Sequence, residues 1–436
     1  MLQSKMVKKY DTYKDSGIEW IGKIPHEWNV LPHKYIMSKV KNICEKYDGE
    51  DIISLTMKGV IKRDLDNPMG KMPLTFDGYQ RIETGNLLLC LFDIDVTPRC
   101  VGLIKDDGLT SPAYSQFKFL GQDCPQYYTY LLTMIDDDKC FLHLAKNLRS
   151  SLTEDNFGAI LTIQPPLEEQ QKIAEYLDKK CGEIDRVIET EKLVIEKLKE
   201  YKQSIITEAV TKGLDKNTQF KDSSIEYIGN IPSNWNIKRL RYFATCQNGI
   251  SKGGEFFGDG SPFVSYGDVY NNNVLPEVVE GLCMVTDTEK ENYSVREGDI
   301  FFTRTSETIE EIAITCVCKK TIENATFAGF LIRVRPYIDE LVVGYSKYYF
   351  ASEIHRKFFV KEMNLVTRAS LSQELLKKLP VLIPPKDEQQ QIAKYLDKKC
   401  SEIDKAIANK EQVIEKFTEY KKSLIYECVT GKKRVA

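Results

Sequence analysis

Two stretches of this chain recur within it. Residues 165–211 and 384–430 are identical at 29 of 47 positions at an offset of 219, and residues 13–30 and 220–237 are identical at 11 of 18 positions at an offset of 207. Identity that dense marks an internal duplication. The chain is two copies of one cassette: a short box with a tryptophan (Trp28, Trp235), a divergent segment and a long charged stretch. The divergent segments, about 31–150 and 238–369, share little visible similarity, and the unequal offsets require them to differ in length.

The charged stretches read as helices. Ile173, Leu177, Ile184, Ile188, Ile195, Leu198 and Ile205 follow one another at steps of three, four or seven, and Ile392, Leu396, Ile403, Ile407, Ile414, Phe417 and Leu424 broadly repeat them. Pro165-Pro166 and Pro384-Pro385 stop the preceding segment, while Glu168, Glu169, Asp387 and Glu388 suit a helix N-terminus. A helix of about 40 residues is roughly 60 Å long and needs a partner along its apolar seam. The other copy within the same chain is the most accessible one, so the spacing predicts an antiparallel intramolecular pair and a pseudo-twofold repeat. Packing of each helix on its own domain, or dimerisation, would be the alternatives.

The inserts read as mixed α/β. Short β-prone runs at 86–92, 299–303, 312–317 and 329–334 are bounded by Gly, Asp and Asn, and 127–134 and 343–361 read as helical. The 436 residues suffice for two or three domains. No apolar run approaches the roughly 18 residues of a membrane span, and the first residues lack a signal-peptide core, so a cytoplasmic location is expected. Twelve cysteines are scattered with no C-x-x-C and only four histidines accompany them, which argues for buried thiols and against zinc.

Net charge is −3. Lys plus Arg against Asp plus Glu is 15 to 18 over residues 30–160 and 18 to 19 over 238–380, which argues against a free-standing, purely electrostatic DNA binder. No phosphate-binding loop, dinucleotide fingerprint, H-E-x-x-H or G-x-S-x-G is present. The acidic run Asp136-Asp137-Asp138 reads as a solvated loop. The pattern is that of a binder, not a catalyst.

The box KDSGIEWIGKIPHEW, the repeated helix start PPxxEQQxIAxYLDKKCxEID and two dissimilar inserts between them resemble the specificity (S) subunit of type I restriction–modification systems, in order and over essentially the whole chain. The resemblance implies two globular target-recognition domains separated by two long antiparallel coiled-coil helices: residues 1–160 with the first box, a spacer helix over 161–214, a second recognition domain over 215–380 and a second spacer helix over 381–436. It implies a non-catalytic subunit that reads a bipartite double-stranded DNA target, and two methyltransferase (M) subunits and restriction (R) subunits as partners. S-adenosylmethionine, ATP and Mg belong on those partners, and this chain holds no cofactor or metal. A coiled-coil scaffold without DNA specificity is the second reading; an enzyme fused into the chain is the third and is disfavoured by the missing motifs.

Candidate DNA contacts follow from the resemblance and from residue type. GDIFFTRTSETIEEIAI resembles the strand–loop–strand core of the family's recognition domains, which puts Arg304, Thr305 and Ser306 on an exposed loop; Arg and small hydroxyls suit base edges and phosphates. In the first insert the corresponding stretch carries over only Arg99, and Ser111 and Tyr114 lie downstream, Tyr114 being equally readable as core. Lys58, Lys62 and Arg63 form that insert's densest basic cluster. Arg149 and Arg368 are equivalent at the helix offset and suit a shared phosphate contact or a shared salt bridge. Lys252, Tyr266, Asn271, Asn272 and Arg333 are candidates by residue type in the second insert. Trp28 and Trp235 read as packing anchors, not as base-stacking groups.

Overall fold

The computed structural model describes residues 9–68, 72–97, 99–144, 150–306, 312–337, 340–362 and 369–435. Four helices position the rest: α1 (Pro125–Asp137), α2 (Leu167–Lys212), α3 (Val343–Ala351) and α4 (Lys386–Val429). The long pair, α2 and α4, has 46 and 44 residues. Each ends just before a glycine in the left-handed region, Gly213 at φ +73° and Gly431 at φ +71°, a conformation that closes a helix cheaply only without a Cβ.

The chain divides into two compact units, residues 1–192 with 411–436 and residues 193–410. The division falls inside both long helices. In the first unit Ile173, Leu177, Cys181 and Ile184 of α2 share a core with Leu424, Ile425, Cys428 and Val429 of α4. In the second unit Ile205, Ile206, Ala209 and Val210 of α2 share one with Ile392, Leu396, Cys400 and Ile403 of α4. Each unit thus joins the start of one helix to the end of the other, which is the antiparallel pairing predicted from the apolar spacing. Equivalent ion pairs cross it in each unit, Lys421–Asp185 and Lys202–Asp404, both 2.7 Å.

Within each unit the box strand pairs with the strand that runs into the helix. Asn29–Pro32 is antiparallel to Leu161–Gln164, and Asn236–Arg239 to Pro380–Ile383, so the proline pairs do stop strands. The insert between them forms a four-stranded antiparallel sheet. In the first unit it comprises β1 (Met37–Val40), β2 (Leu87–Leu89), β3 (Val101–Leu103) and β4 (Ser115–Phe119) in the order β1-β4-β2-β3. In the second, β5 (Ala244–Asn248), β6 (Ile300–Thr303), β7 (Thr315–Val317) and β8 (Leu331–Pro336) take the order β5-β8-β6-β7. Inserts without visible sequence similarity therefore share one topology.

Two expectations change. The helical run 343–361 is two helices, α3 and Ile354–Glu362, with Ser352 extended between them. The acidic run closes α1, and Asp136 is buried at 1% exposure. Its side chain accepts from the Cys100 N–H at 2.8 Å and faces Lys139 at 3.5 Å, so it is a buried structural group and not part of a solvated loop.

Candidate nucleic-acid interface

The frame that presents the inserts is built from the repeated motif itself. Trp28 and Trp235 are fully buried. Trp28 donates from Nε1 to Glu169 at 2.9 Å, and Trp235 to Glu388 at 3.0 Å. An ideal Cβ on Gly431 would lie 3.1 Å from the Trp28 ring, and one on Gly213 would lie 3.4 Å from the Trp235 ring. Each indole thus binds the start of one long helix and packs on the end of the other, which accounts for the tryptophan and the glutamate of the repeat.

The neighbouring glutamine has an equally specific task. Gln170 accepts from the Cys124 N–H at 2.8 Å, and Gln389 from the Val342 N–H at 2.8 Å. Those N–H groups stand at the starts of α1 and α3, where helices lack internal acceptors. Tyr127 of α1 and Tyr345 of α3 reach the last carbonyls of the facing long helix, Val429 at 2.8 Å and Val210 at 3.3 Å. The insert helices are therefore fixed to the frame at both ends of the helix pair in their own unit.

Main-chain hydrogen bonds also give a residue-by-residue equivalence between the inserts. Leu120 N–H donates to Ile36 O as Tyr337 N–H does to Phe243 O, and Gly85 N–H donates to Ile104 O as Gly298 N–H does to Cys318 O. Leu152 N–H donates to Leu91 O, and Leu371 N–H to Arg304 O. The counterpart of Arg304 is therefore Leu91. Cys90 N–H donates to Cys100 O as Thr303 N–H does to Ile314 O, which makes Arg99 the counterpart of Ala313 on the next strand. Transfer of a role from Arg304 to Arg99 is thus corrected: Arg99 is only 15% exposed in its side chain and is paired with Asp137 at 2.9 Å and Asp136 at 3.8 Å.

Arg333 is the second correction. It lies in β8 at 5% exposure, donates to Ser294 O at 2.6 Å and to the Gln247 side chain, and covers the Phe327 ring at 5.2 Å. Burial pushes its guanidinium down to about 10, still charged at neutral pH. It serves the interior of its own unit, because alternation along a strand turns this position inward.

The remaining candidates are distributed as follows. In the first unit Lys58 and Lys62 are exposed on the hairpin Ile53–Thr56/Gly59–Lys62, and Lys62 pairs with Asp51 at 2.6 Å. Arg63 follows it, half-buried, its N–H bonded to Ile52 O. Ser111 accepts from the Ala113 N–H at 3.3 Å, and Ser111 O and Tyr114 O both accept from Gln80. Tyr114 is half-buried, stacks on Phe92 at 6.4 Å and has its phenol pushed up by burial. Met57, Phe92, Val96, Arg99 and Tyr114 line part of an open cleft of about 300 Å³.

In the second unit Lys252 is held by Glu289 at 2.8 Å and lies over Phe256. Tyr266 donates to Thr305 O at 3.2 Å and stacks on Tyr270. Asn271 is exposed, and Asn272 donates to Asp268 O at 2.9 Å. The short strand Thr305–Ser306 pairs with Ala369–Ser370. Arg304 is half-buried and makes no ion pair or side-chain hydrogen bond among the described residues. Arg149 and Arg368 lie outside the described residues. Residue-type reasoning missed Phe330, which is 64% exposed and whose carbonyl accepts from the Arg304 N–H at 2.9 Å. The signal was available in the sequence as an aromatic residue directly after a glycine at the head of a strand.

Among the described residues no cluster of three His, Cys, Asp or Glu could hold a metal ion, and no helix is long and apolar enough to cross a membrane. Residues 232–416 match the family described as the type I restriction modification DNA specificity domain. The putative type I restriction enzyme MjaX specificity subunit of Methanocaldococcus jannaschii is 29% identical over 71% of this chain and 68% of its own length. The EcoKI specificity subunit of Escherichia coli K12 is 26% identical over 53% of this chain, and the aligned region spans about half of that protein, 49%. Among solved structures, a chain from work on complex assembly and conformational transition of the type I R-M system superposes with a TM-score of 0.70 at 13% identity, over 93% of this chain and 98% of that one. The HsdS subunit from Thermoanaerobacter tengcongensis gives 0.50 at 15% identity, over 94% and 98%.

Proposed function

From the match of residues 232–416 to the type I restriction modification DNA specificity domain and the similarity to type I specificity subunits, we propose that the chain is the non-catalytic, DNA-reading subunit of such a system. Each insert reads one half of a bipartite double-stranded target, and the bases between the halves go unread. Methyltransferase subunits dock on the helical frame and carry S-adenosylmethionine; restriction subunits join them with ATP and Mg. Such a complex works where the cell's DNA is, in the cytoplasm. Methyl transfer to a duplex base needs that base taken out of the stack, and the partner subunits do this.

The observation that carries the reading is the combination of one backbone scaffold, repeated on a repeated frame, with different side chains in each copy. A single reader would need no duplication, and a mere scaffold would need no divergence. The test is to map methylated adenines in DNA from cells expressing this chain with and without its methyltransferase subunit. Modification confined to a two-part sequence, and only with both present, is the expected result. Exchange of residues 31–160 for another subunit's insert changes one half of that sequence alone; modification altered in both halves overturns the two-reader reading.

A further inference from the structure

We propose that Arg304 and Phe330 form the specificity-determining contact of the second insert, with Arg304 reading a guanine and Phe330 packing against the same or the adjacent base pair. The inference rests on the DNA-reading function above and deepens it. The β6–β8 ladder pairs Phe302 with Ile332 and Thr303 with Leu331, and the Arg304 N–H bond to Phe330 O continues it by one residue. The two side chains are therefore cross-strand neighbours where the strands leave the sheet.

Their main chain is braced on every side. Arg304 O accepts from the Leu371 N–H at 2.7 Å, Gly329 N–H donates to Ile250 O at 2.7 Å, and Ile250 N–H donates to Phe327 O at 2.9 Å. An ideal Cβ on Gly329 would lie 2.3 Å from Ser251 Oγ, and one on Gly249 would lie 2.2 Å from Ala328 O, so the two segments cross with no room for side chains. A main chain this constrained adds little backbone ordering cost on binding, so only the side chains themselves have to be fixed. What it presents is a guanidinium without a partner among the described residues and a phenyl ring 64% exposed. A fork of N–H donors matches O6 and N7 of guanine in the major groove, and an apolar group beside it suits a thymine methyl. The counterparts in the first insert, Leu91 and Ala113, offer neither group, so this contact distinguishes the two readers.

The experiment uses the full chain with its methyltransferase subunit and duplex DNA in which the mapped target is randomised one position at a time. Arg304→Ala relaxes the preference for one G·C pair in one half of the target by roughly 5- to 150-fold, with the other half unchanged. Phe330→Ala relaxes the same or the neighbouring pair. Arg304→Lys keeps the charge and loses the fork, so binding persists while preference at that pair falls. Thermal melting of each variant as for the parent shows that folding is intact. A preference unchanged at every position overturns the proposal; so does an equal loss on all sequences with a shallower salt dependence, the mark of a phosphate contact. A parent complex that shows no sequence preference instead overturns the proposed function itself.

Discussion

In the second unit the hydrogen-bond ladder runs on to Arg304 opposite Phe330, whereas in the first, where the paired strands end at Leu89 and Ser115, the equivalent positions are Leu91 and Ala113. Leu91 is buried at 6% exposure where Arg304 is half-buried, and Ala113 is exposed but small where Phe330 presents a ring 64% exposed. The first unit instead offers an open cleft bordered by Met57, Phe92, Val96 and Tyr114. The difference teaches how the scaffold tolerates divergence. The inserts are held in register by N–H and C=O groups, which every residue but proline supplies, and are fixed to the frame by Trp, Glu, Gln and Tyr side chains. Side chains at the strand ends are left free to differ, and the proposed reading contact of the second unit lies among them.

The comparison predicts that the shared devices are energetically equal while the surfaces are not. The largest effect is expected at the indoles. Trp28→Ala and Trp235→Ala each remove a fully buried ring and should cost about 3–5 kcal/mol. Hydrogen exchange resolved by unit is the measurement, with each variant loosening its own unit; a full cost at one site and almost none at the other would break the equivalence.

Acid should act next most strongly, and through non-equivalent residues. His33 and His355 are buried at 0% and 3% exposure, and loss of hydration pushes both imidazoles down to about 4. The unfolded chain titrates near 6.5, so it binds more protons than the folded one between pH 6.5 and 4. Stability is full above that window and falls as the pH drops through it, by about 3 kcal/mol per histidine. Urea midpoints at pH 7 and pH 4.5 measure the loss, and His355→Gln should confine the remaining loss to the first unit. A midpoint independent of pH would rule out buried neutral histidines.

The smallest effect belongs to the ion pairs across the helices. Lys421 and Lys202 are 29% and 28% exposed in their side chains and their partners more so, so Lys421→Ala and Lys202→Ala should each cost about 0.2–1 kcal/mol, less at high salt. A double-mutant cycle with Asp185→Ala and Asp404→Ala measures the two couplings, and a marked inequality would sharpen the contrast between units.

The helix pair was legible because apolar residues at steps of three, four and seven make a seam that needs a partner, and the other copy in the same chain was the most accessible one. The shared sheet was not, since its register is written in main-chain bonds that leave side-chain identity open; the first insert spells the strand LLL and the second IFFT. Arg99 was assigned through a motif alignment that ran past the end of β2, and only the ladder shows Leu91 at the matching place. Arg333 was chosen by type, although its inward position on β8 puts it out of reach of any ligand at the surface. The frame residues Glu169, Gln170, Glu388 and Gln389 stood in plain view in the repeat, but their partners were separated from them by 46 to 153 residues.

The first unit draws its core from two stretches far apart in the polypeptide, with Cys428 and Val429 in one cluster with Trp28 and Tyr127. During synthesis, residues 193–410 emerge as one uninterrupted piece and can consolidate while the earlier segment still waits for its closing turn of helix. The second unit can thus close before the first, and truncation ahead of Leu424 would take from the first unit a part of its core that nothing upstream replaces.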